Sequence, residues 1–170
     1  MGMALEQARK AFEAGEFPVG CVIVYDGQVI AAGGRTGTAG SGTFFNEIDH
    51  AEIRAIKGLE KAPKGFDPAR CVLYCTMEPC LMCFAAIILA GIKTIVYAYE
   101  DPMGGGTGCD LAGLAPLYAR SRVRVKAGLG RQKSLDLFYK FFNNESNRYW
   151  KGSLLETYTL SAHAAGKADK

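Results

Sequence analysis

CVLYCTMEPCLMCFAAIILAGIKTIVYAY, residues 71–99, decides how this chain is organised. CVLYC is a short apolar run bounded by turn residues and reads as a buried strand. Pro79 suits a first helical turn, where its missing N–H costs nothing, and it predicts a helix through about Ala90. IKTIVYAY is a second strand. At the helix start, Pro79-Cys80-Leu81-Met82-Cys83 holds two cysteines three apart. At that spacing their side chains share one face. The positive end of the helix favours thiolate over thiol there.

Working outward, two apolar runs, CVIVY and QVIAAGG, flank Asp26-Gly27 and predict a hairpin. Residues 3–14 have a helical rhythm, with Leu5, Ala8, Phe12 and Ala4 on one side. Residues 34–49 are rich in Gly, Thr and Ser without a period and read as a loop. Ala51 to Leu59 is an expected helix with Ile53, Ile56 and Leu59 inward. Downstream lie a loop at 101–110, a short helix near 111–120, a strand in RVRVKAG and a helix from Ser134 to Phe142. Leu135, Phe138, Phe141 and Phe142 are its expected apolar contacts. The segment after Gly152 has one weak apolar patch, LLETYTL, and a polar end. The order predicts an α/β domain: a five-stranded mixed sheet covered by helices.

The helix beginning near residue 51 carries His50-Ala51-Glu52 at its start, and both helix starts can meet at one end of the sheet. His50, Cys80 and Cys83 then supply an imidazole and two thiolates. Three protein ligands leave one tetrahedral position for water, which marks a catalytic zinc site rather than a structural one. Glu52 need not touch the metal, so it is free to move protons. A lone C-x-x-C is often a redox pair or a zinc knuckle. Here no second pair completes a four-cysteine site, and a redox pair has no use for His50 or Glu52. The other histidine, His163, lies in the polar tail. Glu78 reads as a capping or supporting acid.

A chain of 170 residues suits one domain with a sizeable core. At 49% hydrophobic and 22% charged residues, its composition is that of an ordinary globular protein. A formal charge of +3 neither announces nor excludes a nucleic-acid partner. No apolar run reaches membrane-spanning length, and the start reads as an amphipathic helix without an export or myristoylation signal. Cys21, Cys71 and Cys75 sit in apolar runs and Cys109 in a glycine-rich loop, so a reducing cytoplasm is expected over a disulfide scaffold.

His-x-Glu followed by Pro-Cys-x-x-Cys is the signature of the zinc-dependent base deaminases. The chain resembles the cytidine and deoxycytidylate deaminase superfamily, and most of all its branch of bacterial tRNA-specific adenosine deaminases and guanine deaminases. The resemblance runs from Pro18-Val19-Gly20 through HAEI and LYCTMEPCLMCFAAIILAGIKTIVYA, then weakly through Asp101-Pro102-Met103-Gly104-Gly105 and the later helix. It implies a three-layer α/β/α fold, one catalytic zinc per subunit, hydrolytic deamination and a homodimer. It implies a deaminase domain over 1–150 and a partly ordered tail over 151–170. His50, Cys80 and Cys83 become the ligands and Glu52 the proton shuttle. Ala51 and Thr76 match positions whose main chain touches the base.

Two departures fall on the substrate side. Where the family has an asparagine after the second strand, this chain has Gly33-Gly34-Arg35-Thr36. Its approach to the histidine is Asn46-Glu47-Ile48-Asp49. Asn46, Glu47 and Asp49 are therefore candidate substrate contacts, and a buried carboxylate among them would select guanine-like edges. Phe44, Phe45, Tyr149 and Trp150 line the pocket, clasp a base or pack in the core or a dimer. The aromatic run Phe138, Tyr139, Phe141, Phe142, Tyr149 and Trp150 exceeds what one small domain readily buries and supports a dimer, unless the tail folds back over it. The basic residues Arg120, Arg122, Arg124, Lys126, Arg131 and Lys133 read as a solvated face. A small purine such as guanine is favoured, with tRNA adenosine and cytosine or cytidine as alternatives.

Overall fold

The computed structural model describes residues 1–39 and 45–168; Phe44 lies outside the described residues. The chain starts with α1 (Gly2–Glu13), then the hairpin of β1 (Gly20–Tyr25) and β2 (Gln28–Gly34). Asp26 and Gly27 both have positive φ, 47° and 79°. Two such residues make the turn whose twist matches paired strands. Next come α2 (Ala51–Gly58), β3 (Val72–Met77), α3 (Leu81–Leu89) and β4 (Thr94–Tyr99). The short α4 (Pro116–Ala119) and β5 (Arg124–Lys126) precede α5 (Arg131–Phe142) and α6 (Leu154–Ala168).

The expected five-stranded mixed sheet is present, in the order β2-β1-β3-β4-β5. The β1 strand runs antiparallel to β2 and β3, while β3, β4 and β5 run parallel. Ile23, Leu73 and Ile95 stand in register across three strands, all fully buried. The three-layer arrangement follows from two glycines. Successive residues of a strand face opposite sides of a sheet. A Cβ on Gly33 would meet the Ala51 carbonyl oxygen at 2.3 Å, and one on Gly34 would meet that of Gln7 at 3.3 Å. Hence α2 packs on one face and α1 on the other. The α3 helix joins α2, and α5 joins α1.

Several local expectations shift. Cys80, not Pro79, caps α3, so the proline precedes the helix and holds the chain extended into it. The deepest residues of α2 are Ala51, Glu52 and Ala55. Ile53, Ile56 and Leu59 are only half-buried, because small side chains let the helix backbone lie against Gly33. The segment after Gly152 is a helix of 15 residues docked on α5. Leu155 and Thr159 are buried, and Thr159 bonds Tyr99 at 2.9 Å. His163 is buried too, stacked on Tyr139 at 3.7 Å. Phe138, Phe141, Phe142 and Tyr149 are thereby covered within one chain, leaving Trp150 at 42% exposure. Burying these rings therefore does not require a second subunit. Arg131 leaves the solvated basic face to grip Glu100 with two bonds from Nε at 3.0 and 2.8 Å. Among the described residues no helix is long and apolar enough to cross a membrane.

Candidate active site

His50 caps α2 and Cys80 caps α3, and neither side chain bonds its own helix end. Both are left free to face each other. His50 Nδ1 lies 3.6 Å from Cys80 Sγ and 3.4 Å from Cys83 Sγ. Ligands about 2.0–2.3 Å from a tetrahedral zinc stand about 3.5 Å apart. The three donor atoms, all within 4.8 Å of one another, fit that ion in chemistry and in spacing.

Their electrostatics agree. A hydrogen bond from Cys83 and another from His50 hold Cys80 at about 4, against the penalty of burial. The same Cys80 contact, with burial, drives Cys83 up, so the pair shares one proton. A dication would take both sulfurs as thiolates. Burial presses His50 down, but Cys80 and the charge of Glu52 outweigh it and raise the ring's pKa. Glu52, in the first turn of α2, is 3% exposed. Burial pushes its carboxyl up, as suits a group that holds and releases a proton.

The loop after β4 is pinned against α3. Glu78 accepts from the backbone N–H of Asp101 at 3.3 Å and from the Thr107 hydroxyl at 2.5 Å. A Cβ on Gly106 would meet the Leu81 nitrogen at 2.4 Å, so only glycine fits there. Glu78 thus ties this loop to the start of α3, and it also borders the cavity above the metal-ligand cluster.

Above the cluster opens a cavity of about 220 Å³. That is smaller than the roughly 300–1,000 Å³ typical of ligand pockets, and it suits one base. His50, Ala51, Glu52 and Cys80 border it, as do Glu47, Tyr149 and Trp150. Asn46, Asp49 and Thr76 do not. Asn46 is spent on a local turn, accepting from the N–H groups of Ile48 and Asp49 and donating to Asp49 at 2.7 Å. Asp49 also faces Lys57. Thr76 is fully buried, with its hydroxyl on the Gly20 N–H and its carbonyl taken by Ser134. Phe45 packs edge-on against Tyr149 at 5.2 Å.

Sequence reasoning missed Arg35 as a pocket residue. It is 2% exposed, borders the cavity and donates from Nη2 to Glu47 at 2.9 Å and to the Tyr149 hydroxyl at 3.3 Å. The available signal was its place where the family's asparagine belongs. Glu16 was missed too. Its carboxylate gathers the N–H groups of Gly37, Thr38 and Ala39 and sets the course of the loop beyond β2.

The family model of the cytidine and deoxycytidylate deaminase zinc-binding region matches residues 1–99. This chain belongs to that family. The tRNA-specific adenosine deaminase of Agrobacterium fabrum is 36% identical over 153 residues, covering 85% of this deaminase and 93% of the relative. A solved structure from studies of A-to-I editing by tRNA:A34 deaminases at the wobble position superposes with a TM-score of 0.61. It is 33% identical and covers 81% of this chain and 96% of that one. The guanine deaminase of Bacillus subtilis gives a TM-score of 0.50 at 37% identity, over 58% of this chain and 61% of that one. Hydrolytic C–N deamination is therefore the reaction class of this deaminase, and His50, Cys80 and Cys83 are positioned to hold its zinc.

Proposed function

We propose that this chain removes the exocyclic amine of a base as ammonia, with Glu52 moving the protons. The observation that carries this reading is the His50–Cys80–Cys83 cluster beside a base-sized cavity that His50, Cys80 and buried Glu52 border. When bound, zinc lowers the pKa of water toward neutrality and so supplies a nucleophile at ordinary pH. Glu52 takes the proton of that water and passes it to the ring nitrogen. It then takes the remaining proton of the added hydroxyl and delivers it to the departing amine, so water and the amino-base become the oxo-base and ammonia. Ammonia release from a panel of guanine, adenine, adenosine, cytosine, cytidine and a tRNA tests it, and silence from every member would falsify it.

Adenosine within tRNA is the substrate that the similar proteins support, by the names of the Agrobacterium relative and the A34-editing structure. Inosine formed in tRNA, with binding that weakens steeply as salt rises, is the result expected of it. A free guanine-like purine is the second reading. The Arg35–Glu47–Tyr149 set bordering the cavity favours it. A homodimer belongs to the same proposal, and light scattering should give twice 18.3 kDa. Six free thiols suit a reducing cytoplasm.

A further inference from the structure

Trp150 is the one tryptophan of the chain, and it stands at the mouth of the cavity. It borders that space with 42% of its surface still open, whereas its neighbour Tyr149 is 5% exposed. The two rings meet edge to face at 5.7 Å and 76°, a contact that occupies at most one face of the indole. The Trp150 backbone has φ 54°, a left-handed conformation that bulky side chains rarely adopt. Its surroundings fix it there. Both ends of the Asn147 side-chain amide grip the main chain of Tyr149, at 3.0 and 3.1 Å. The Ser153 N–H bonds the Trp150 carbonyl at 3.2 Å. Packing alone would have buried the ring, so backbone strain kept beside the active site points to a role in binding.

The cavity is base-sized, so a nucleotide entering it from an RNA strand leaves its ribose and its neighbours at the mouth. An unstacked neighbouring base needs an aromatic face to rest on, and its phosphates need cations. Asn147-Arg148-Tyr149-Trp150-Lys151 offers both. Arg148 is exposed and makes no ion pair among the described residues. Lys151 is exposed as well, with Glu156 at 3.1 Å. We propose that Trp150 is a substrate-binding residue whose indole stacks on the base of a nucleotide adjoining the flipped adenosine, while Arg148 meets a phosphate of the same strand. A free purine brings no adjoining nucleotide, so this contact favours a strand of RNA.

This inference rests on the tRNA reading of the deaminase. Because the chain has a single tryptophan, the stack can be watched directly. Zinc-loaded protein is titrated with an RNA hairpin carrying the editable adenosine in its loop, and indole emission is followed beside retention of the RNA on a filter. Emission should be quenched in step with binding. Trp150→Ala should raise KM for inosine formation about 5- to 150-fold, the worth of one stacked base, with kcat falling less. Trp150→Phe keeps a ring and should recover most of that loss. An abasic site placed 5′ or 3′ of the adenosine should abolish the quench at one of the two positions, and there W150A should cost nothing further. RNA bound with emission unchanged, a native KM in W150A, or one penalty on the intact and both abasic hairpins would each overturn the inference while inosine formation keeps the tRNA reading standing. The wild-type titration decides the matter even where W150A does not fold. A wild type that neither holds the hairpin nor forms inosine ends the tRNA reading and the inference with it.

Discussion

Tyr149 donates its hydroxyl hydrogen to Glu47 at 2.8 Å across 102 residues of chain. The bond ties the segment between α5 and α6 to the loop that leads into His50. Burial, first of all, pushes the tyrosine up to about 12, so it stays a donor throughout the neutral range.

Tyr149→Phe keeps the ring, which packs at 5.2 Å against both Phe17 and Phe45, and removes only the hydroxyl. The expected loss is about 1–2 kcal/mol of stability, because the hydroxyl both donates to Glu47 and accepts from Arg35. Denaturant unfolding measures it. The variant should also raise KM more than it lowers kcat, since Glu47 and Arg35 lose their alignment. An unchanged KM would count against a positioning role.

Glu52→Gln should leave the zinc in place, because the three ligands are elsewhere. Ammonia release should fall by about 10²- to 10⁴-fold, the usual scale of a lost proton-transfer group. Metal analysis of the purified variant beside its turnover separates the two effects. Loss of zinc, or turnover at the native rate, would sink the shuttle assignment.

Gly33→Ala should damage the site without touching it. The new Cβ would fall 2.3 Å from the Ala51 carbonyl oxygen and 2.8 Å from the Ala55 nitrogen. Neither backbone atom can swing away alone, so α2 must move, carrying His50 and Glu52 with it. A destabilisation of about 1–3 kcal/mol is expected, together with weaker zinc retention under chelator challenge. Full zinc affinity in a folded variant would show that α2 has room to spare.

Acid should loosen the C-terminal helix. Burial raises the Glu100 carboxyl, but the bonds from Arg131 and Tyr158 outweigh it and hold it at about 2, against 4.5 for a free side chain. The folded-state value is depressed, so this contribution is complete above about pH 4.5. It is lost as pH falls toward 2. Melting curves of the wild type and Glu100→Gln should therefore differ most above pH 5 and converge in acid. A gap that widens on acidification would contradict the assignment.

The hairpin, the strand–helix–strand unit of residues 71–99 and the zinc ligands were legible in the chain. Each is a local statement: Asp-Gly presets a turn, apolar runs seek burial, and cysteines three apart on a helix face one way. The inward side of α2 was misjudged because Ile53 and Ile56 outrank alanine in hydrophobicity. Close packing on Gly33 rewards the small side chains of Ala51 and Ala55 instead. The segment after Gly152 has few apolar residues, yet Leu155 is buried, Thr159 bonds Tyr99 of β4 and His163 stacks on Tyr139 of α5.

The sheet, the order of its elements and the metal-binding set His50, Cys80 and Cys83 can all be read along the chain, because short-range spacing and side-chain type carry that information. Which polar residues border the cavity depends on the folded backbone. Asn46 and Asp49 turned to each other, while Arg35 came in from the end of β2 to meet Glu47 and a tyrosine 114 residues away. A polar side chain takes whichever partner the folded backbone brings within about 3 Å, and no local pattern reports that distance.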